Sequence, residues 1–295
     1  NMEGKQISGE KPARLEPADK WILSRLNTVV KEMTENMEHF ELGIAVQKVY
    51  DFIWDEFCDW YIEMVKPRLY GTEDTESQSG ALWTLKTVLL QALKLLHPYM
   101  PFITEEIFCN LQDEEESIMI SRWPVYKEEW NFAKEERDIE MLKEAVRGIR
   151  GVRTEMNVSP GRKASVYVVS PREEVRHTFA EGKLFFASLA GASEVHIQED
   201  KTGIAKDAVS VVTSDASIYI PFAELVDIRL ELERLEKEKG RLEGEIRRCS
   251  GMLSNEKFIS KAPAAKVEEE KEKLEKYTRM LEQVENRLQQ IAQKQ

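Results

Sequence analysis

The sequence contains no apolar run near eighteen residues, which excludes a helical membrane span. It shows no signal peptide. Cysteine is scarce: Cys58, Cys109 and Cys249 lie far apart and form no C-x-x-C pair, which argues against zinc. An odd count in helical contexts points to reduced thiols and a cytoplasmic home. Glycines near turns, Gly191 and Gly203, are isolated and build no phosphate loop. Positive charge is in deficit. The net charge is −12, which speaks against a generic nucleic-acid coat but leaves local basic patches open. The chain begins at Asn1 without an initiator methionine, a hint of an excised or processed piece.

What is present suits a folded chain of two or three domains. Of its 295 residues 42% are hydrophobic, enough for a real core, and 33% are charged. The first sixteen residues are polar. Pro17 then opens a helix expected to run to Phe40, with Leu26, Val29 or Val30, Met33 and Met37 as its apolar stripe. Gly43 marks the turn into an aromatic helix. There Val49, Ile53, Phe57, Trp60 and Met64 recur at helical spacing, and Tyr50, Trp54 and Tyr61 add a second apolar line. A helix apolar over most of its girth is expected to be buried among several partners. Pro67 and Gly71 are expected to end it, and a polar loop leads to a third helix over 81–97. Pro98 and Pro101 break that helix, and a short fourth covers 104–111. Brief connections between such helices describe an antiparallel bundle.

Asp51, Asp55, Asp59 and Glu63 fall at i, i+4 spacing on the third face of the aromatic helix. Four aligned carboxylates suggest a metal or acid/base site. The preferred reading is a solvated seam, because helical di-metal sites add histidines at Glu-x-x-His spacing and this stretch has none.

An acidic segment with Trp123, Pro124 and Trp130 reads as an irregular crossing that packs its tryptophans on the bundle, and a helix over 138–156 follows. The period then changes from 3.6 to 2. Strands are expected at 164–169, 194–198, 208–213 and 217–220, with one helix over 172–189 between the first two. This is a small α/β module. Finally, Leu225, Ile228, Leu232, Leu235, Lys239, Leu242, Ile246, Cys249 and Leu253 keep a 3-4-3-4 spacing. Leu274, Tyr277, Leu281, Val284, Leu288 and Ile291 do the same. Two such helices around a polar interruption holding Pro263 fold back as an antiparallel coiled coil, an arm ~45 Å long. The fold class is therefore mainly α. Residues 1–142 are expected to form the bundle and crossing, 143–221 the α/β junction, and 222–295 the arm.

The basic residues are segregated. From Arg247 to Lys266 the chain carries Arg247, Arg248, Lys257, Lys261 and Lys266 against Glu256 alone, the footprint of a polyanion contact. Arg147, Arg150 and Arg153 form a second line at i+3 steps, followed by Arg162 and Lys163. Lys66, Arg68 and Tyr70 close the aromatic helix, where cations also complement the helix dipole.

The stretches DKWILSRLN (19–27), FIWDEFCDWYIEMVKP (52–67), LLHPYMPFITEEI (95–107), SIMISRWP (117–124) and MLSNEKFISKAP (252–263) together resemble the C-terminal half of the bacterial-type valyl-tRNA synthetases. FCDWYIE and HPYMPFITEE are specific to class I synthetases with large aliphatic substrates. The hairpin tip with Asn255, Phe258, Lys261, Ala262 and Pro263 favours the valine enzymes. The resemblance implies an anticodon-binding bundle, an α/β junction, and an arm that reaches the tRNA elbow, where RNA is read by shape. It implies Arg25, Lys66, Arg68 and Tyr70 as candidates on the anticodon side, and Arg147, Arg150 and Arg153 after the bundle. On the arm it implies Arg241, Arg247, Arg248, Lys257, Lys261 and Lys266. It also implies a tRNA(Val) partner, catalytic and editing domains in cis, and a monomeric parent. ATP and magnesium are expected only in the parent's catalytic domain, since His39, His97, His177 and His196 sit in no H-I-G-H motif and no K-M-S-K-S loop is present. No catalysis and no cofactor are expected of this chain. The alternative is a coiled-coil structural or adaptor protein with a protein partner, and a cut fragment can also self-associate through exposed apolar surface.

Overall fold

The computed structural model describes residues 11–70, 75–112, 114–225, 228–255 and 263–292. The protein is mainly helical with one small sheet. Helix α1 (Pro17–Glu38) is the spine of the helical body. Leu26, Val29, Val30 and Met33 of its stripe are buried, and Met37 is half-buried. Its first turn is closed by a capping box between Glu16 and Asp19, with proline at the N-terminus. Against it pack α2 (Leu42–Asp51), α4 (Thr75–Leu96) and α6 (Ala133–Glu155).

Between α2 and α3 (Glu63–Tyr70) the chain forms a π-helical stretch, Phe52–Ile62. The wider turn changes the expected register. Phe52, Phe57, Trp60, Tyr61 and Met64 are buried, and Phe52 takes the core place expected of Ile53, which is half-buried. The second apolar line is corrected too. Tyr61 is fully buried, but Tyr50 and Trp54 are each 58% exposed. Asp51, Asp55 and Asp59 face solvent, as a solvated seam requires.

Several helix boundaries differ from expectation: α6 starts at Ala133 instead of 138, and at Pro67 and Thr75 a tertiary contact outweighs a local signal. Pro67 lies inside α3 rather than ending it. The last turn is held by Arg68, which donates to Asp19 and Ser77, and by Gln78 Nε2, which donates to the carbonyl of Leu69 at 2.9 Å. Helix α4 starts at Thr75 instead of 81. Its first turns are pinned by that same Arg68, and Gly80 lets them close on the N-terminal segment: a Cβ there would stand 2.8 Å from the Arg14 carbonyl. Pro101 opens α5 (Pro101–Leu111) at its first turn, a position that needs no N–H donor.

The sheet has β1 (Ala164–Val169), β2 (Ala192–Gln198), β3 (Val209–Val212) and β4 (Ser217–Ile220) in the order β2-β1-β4-β3. Only the β1–β2 pair is parallel. The crossover expected as one helix is two, α7 (Glu173–Glu181) and α8 (Lys183–Leu189), divided at Gly182. That glycine sits on α6: a Cβ would lie 2.6 Å from Leu142 Cδ1. Gly148 of α6 meets Val211 of β3 just as closely. Helix α6 thus joins the helical body on one side and the sheet module on the other. One apolar core runs through both.

Short α9 (Phe222–Leu225) precedes α10 (Ile228–Leu253) and α11 (Ala264–Ala292), which pack along each other. Lys239 pairs with Glu285 at 2.8 Å and Arg248 approaches Glu270 at 3.7 Å, so the two helices run in opposite directions. Leu235, Leu242 and Cys249 are buried between them. No helix among the described residues is long and apolar enough to cross a membrane.

Candidate nucleic-acid interface

The basic residues of the helical body are largely engaged with each other's neighbours. Arg25 makes a forked contact with Glu56, Nε to Oε2 at 2.9 Å and Nη2 to Oε1 at 2.9 Å, and lies near Glu136. That hydrogen-bonded carboxylate holds its guanidinium above the ordinary arginine range. Arg68 grips both oxygens of fully buried Asp19 at 2.8 Å each. Tyr61 Oη donates to the same carboxylate at 2.7 Å. Burial, with Asp19 beside it, pushes the Tyr61 phenol well above its ordinary range, so it stays a donor. Arg25 and Arg68, both candidates for the anticodon side, therefore clamp helices together in the fold. Lys66 pairs with Glu63, and Tyr70 is exposed.

Arg68 and its neighbours meet α1 at Asp19. Counting twenty-one residues along α1 and its C-terminal turn, Phe40 lies ~30 Å away. That far end carries the residues that sequence reasoning missed. Phe40 is 87% exposed with φ of 60°, in the left-handed region where a bulky side chain is uncommon. Tyr99 Oη donates to the Leu42 carbonyl at 2.8 Å, tying the α1–α2 turn to the α4–α5 turn. Phe102, 90% exposed, and Met100 stand on that second turn. His97 brings Met119 to the same end, through contacts to Thr104 Oγ1 at 2.7 Å and Met119 Sδ at 2.9 Å. Two turns tied to each other thus each present an open aromatic ring at this end of the bundle. The available signal was an aromatic in each turn, HFELG and YMPF, off every core stripe.

On α6 the arginine line is a joint as well as a surface. The guanidinium groups of Arg147 and Arg150 lie 5.3 and 5.6 Å from the Trp60 ring centre, with Lys143 Nζ at 5.5 Å. Arg147 also pairs with Glu140, Arg150 donates to the Leu189 carbonyl at 2.7 Å, and Arg153 donates to the Arg162 carbonyl at 2.6 Å. Burial lowers the Arg153 guanidinium below its ordinary range.

On the helical pair, Arg241 is paired with Glu238 at 2.7 Å and Arg248 with Glu245 at 3.0 Å. Arg247 and Lys266 are exposed and have no ion-pair partner among the described residues. Lys257 and Lys261 lie outside the described residues. A second residue that sequence reasoning missed is Glu270. Only 5% exposed, it lies opposite Cys249 and is held by Lys273 at 3.0 Å and Arg248. Stepping the 3-4 spacing back from Leu274 lands on it. Among the described residues no group of three or more His, Cys, Asp or Glu side chains converges as a metal site would need.

The helical body and the helical pair each match a known family model. Residues 19–168 match the anticodon-binding domain of tRNA ligase, and the chain belongs to that family. Residues 227–292 match the valyl tRNA synthetase tRNA binding arm. The chain is 52% identical over 272 residues to the valine–tRNA ligase of Clostridium perfringens, covering 92% of this chain and 31% of that one. It is 52% identical over 271 residues to that of Clostridium tetani, covering 92% and 30%. It is 36% identical over 293 residues to that of Bacillus subtilis, covering 98% and 33%. The chain thus spans about a third of the length of the curated relatives it matches.

Proposed function

We propose that this chain is the tRNA-binding, C-terminal part of a valyl-tRNA synthetase, a cytoplasmic ligase that attaches valine to tRNA(Val) with ATP. Residues 1–142 form an antiparallel anticodon-binding bundle, 143–221 a junction, and 222–295 an antiparallel coiled-coil arm. The observation that carries this reading is the pair of matches, one to an anticodon-binding domain and one to a tRNA-binding arm, on two separate helical units of one chain. ATP and magnesium belong to the catalytic domain of the parent enzyme, which acts in cis together with an editing domain. No residue of this chain is assigned to holding either.

The bundle's aromatic end suits unpaired loop bases, since stacking on an aromatic ring needs a free ring face rather than a free charge. Phe40 and Phe102 supply such faces, while Lys66 and Tyr70 lie at the other end of the bundle, nearer the stem side. Stacking on one ring contributes about 1–3 kcal/mol per base. Phe40→Ala and Phe102→Ala are therefore each expected to weaken tRNA(Val) binding by roughly tenfold to a hundredfold. A minihelix without an anticodon loop should bind both variants as it binds the parent. Loss of affinity for the minihelix too would move the contact elsewhere.

Binding of tRNA(Val) to the chain should weaken steeply with salt, because cations on the arm displace counterions from phosphates. A salt-independent complex, or none, would favour the adaptor reading. Valine-dependent ATP–pyrophosphate exchange by the purified chain is expected at background. Activity above it, in a preparation free of host enzyme, would overturn the division of labour.

A further inference from the structure

We propose that the outer face of α2 and the π-helical stretch docks a Lys/Arg-rich segment of a separate protein. The face has two parts. Tyr50 and Trp54, one turn apart, are large exposed aromatics that no core packing explains. Beside them run Asp51, Asp55 and Asp59. Asp51 accepts a hydrogen bond from Gln47 at 2.6 Å. Asp55 and Asp59 have no hydrogen-bond or ion-pair partner among the described residues.

Elsewhere in the molecule some aromatic rings show how a cation sits on such a face. Trp21, Trp60, Trp130, Tyr126 and Tyr219 each hold a lysine or arginine of this chain over the ring. Among the described residues none lies over Tyr50 or Trp54. The open ring faces and the solvated carboxylates beside them suit the same ligand, a cation from outside. A guanidinium satisfies both at once, flat on the ring and hydrogen-bonded to the neighbouring carboxylate.

Charge also decides among occupants. RNA is excluded from this face, since its phosphates would meet three carboxylates. A neutral apolar surface would strip water from Asp55 and Asp59 and leave them unpaired, which is costly. A basic peptide segment gains on both counts. The π-helix fits the arrangement, because its wide turn buries Phe52 and Phe57 while leaving Trp54 and Asp55 outward.

The test uses the full chain and a fluorescein-labelled octapeptide of alternating arginine and lysine, followed by anisotropy at fixed salt. Trp54→Ala removes the ring. The double variant Asp55→Asn with Asp59→Asn removes the charge and keeps the shape. All of these positions are solvent-facing, so thermal melts should match the parent. One-to-one binding is expected, weakened about tenfold by either variant, with tRNA(Val) affinity unchanged in both. Equal peptide affinity in parent and variants would overturn the proposal, since the peptide would then only be reporting the net charge. Reduced tRNA affinity in Trp54→Ala would also overturn it and give the face to RNA. Sedimentation that shows a parent dimer lost in Trp54→Ala would replace the separate partner with a second copy.

Discussion

Asp19→Ala is expected to lower the stability of the helical body by about 3–5 kcal/mol, the cost of leaving one partner of a buried ion pair behind. The carboxylate is fully buried and accepts from both Arg68 nitrogens and from Tyr61, and its Oδ2 accepts from the Glu16 backbone N–H that starts α1. Removing it strands a guanidinium and a phenol in a site closed by α1, the π-helical stretch, α3 and α4. The loss is a large share of the 5–15 kcal/mol that holds a typical domain together. Urea unfolding followed by circular dichroism checks it. The midpoint should fall sharply, and replacing both partners with apolar residues, Asp19→Leu with Arg68→Met, should recover part of the loss. An unchanged midpoint in Asp19→Ala would show that the pair is solvated. Arg68 would then return as a candidate RNA contact.

The same residue shows where sequence reading stops. Arg68 stands in a basic cluster at a helix end, and from the sequence alone a free cation and a buried clamp look alike. What separates them is a carboxylate forty-nine residues away, and only the fold brings it near. The period-3.6 and period-2 patterns gave the order of elements, because each segment's burial is written in its own spacing. They gave α1 and the four strands to within about two residues, and the existence and pairing of the two arm helices. They failed at Pro67, Thr75 and Gly182, where a distant side chain or a close helix crossing decides the boundary. They failed also in the π-helical stretch, where Phe52 replaces Ile53 in the core and Trp54 turns to water, and at Tyr50 in α2 just before it, which is exposed as well. Phe40 and Phe102 were unmarked for a related reason. An aromatic is read as core by default, and its exposure depends on a turn geometry that has no periodic signature.

The arm offers the larger functional effect. Reversal of Arg247, Lys261 and Lys266 to glutamate is expected to weaken tRNA(Val) binding by a factor on the order of 10²–10³ at 0.1 M salt. The figure follows from counterion release: each phosphate contact contributes a log–log slope of about 0.7–0.9, and a tenfold dilution from 1 M salt converts that slope directly into decades of affinity. Arg248 is left out of the set on structural grounds. It lies against buried Glu270, and reversing it would place two carboxylates together between α10 and α11. That would unpair the helices and confound the measurement. Arg247 and Lys266 are exposed and free of ion pairs among the described residues, so helix content and melting should be preserved. The loss should be equal for tRNAs with different anticodons, because backbone contacts position without specifying sequence. The salt slope should flatten by about two to three units. In a full-length valine–tRNA ligase bearing the same changes, aminoacylation should fall through the tRNA term while ATP–pyrophosphate exchange is kept. An unchanged slope would make the tip a solvated face and shift the electrostatic contact to Arg147, Arg150 and Arg153. There each guanidinium already has a partner within the fold, and RNA would have to compete for it.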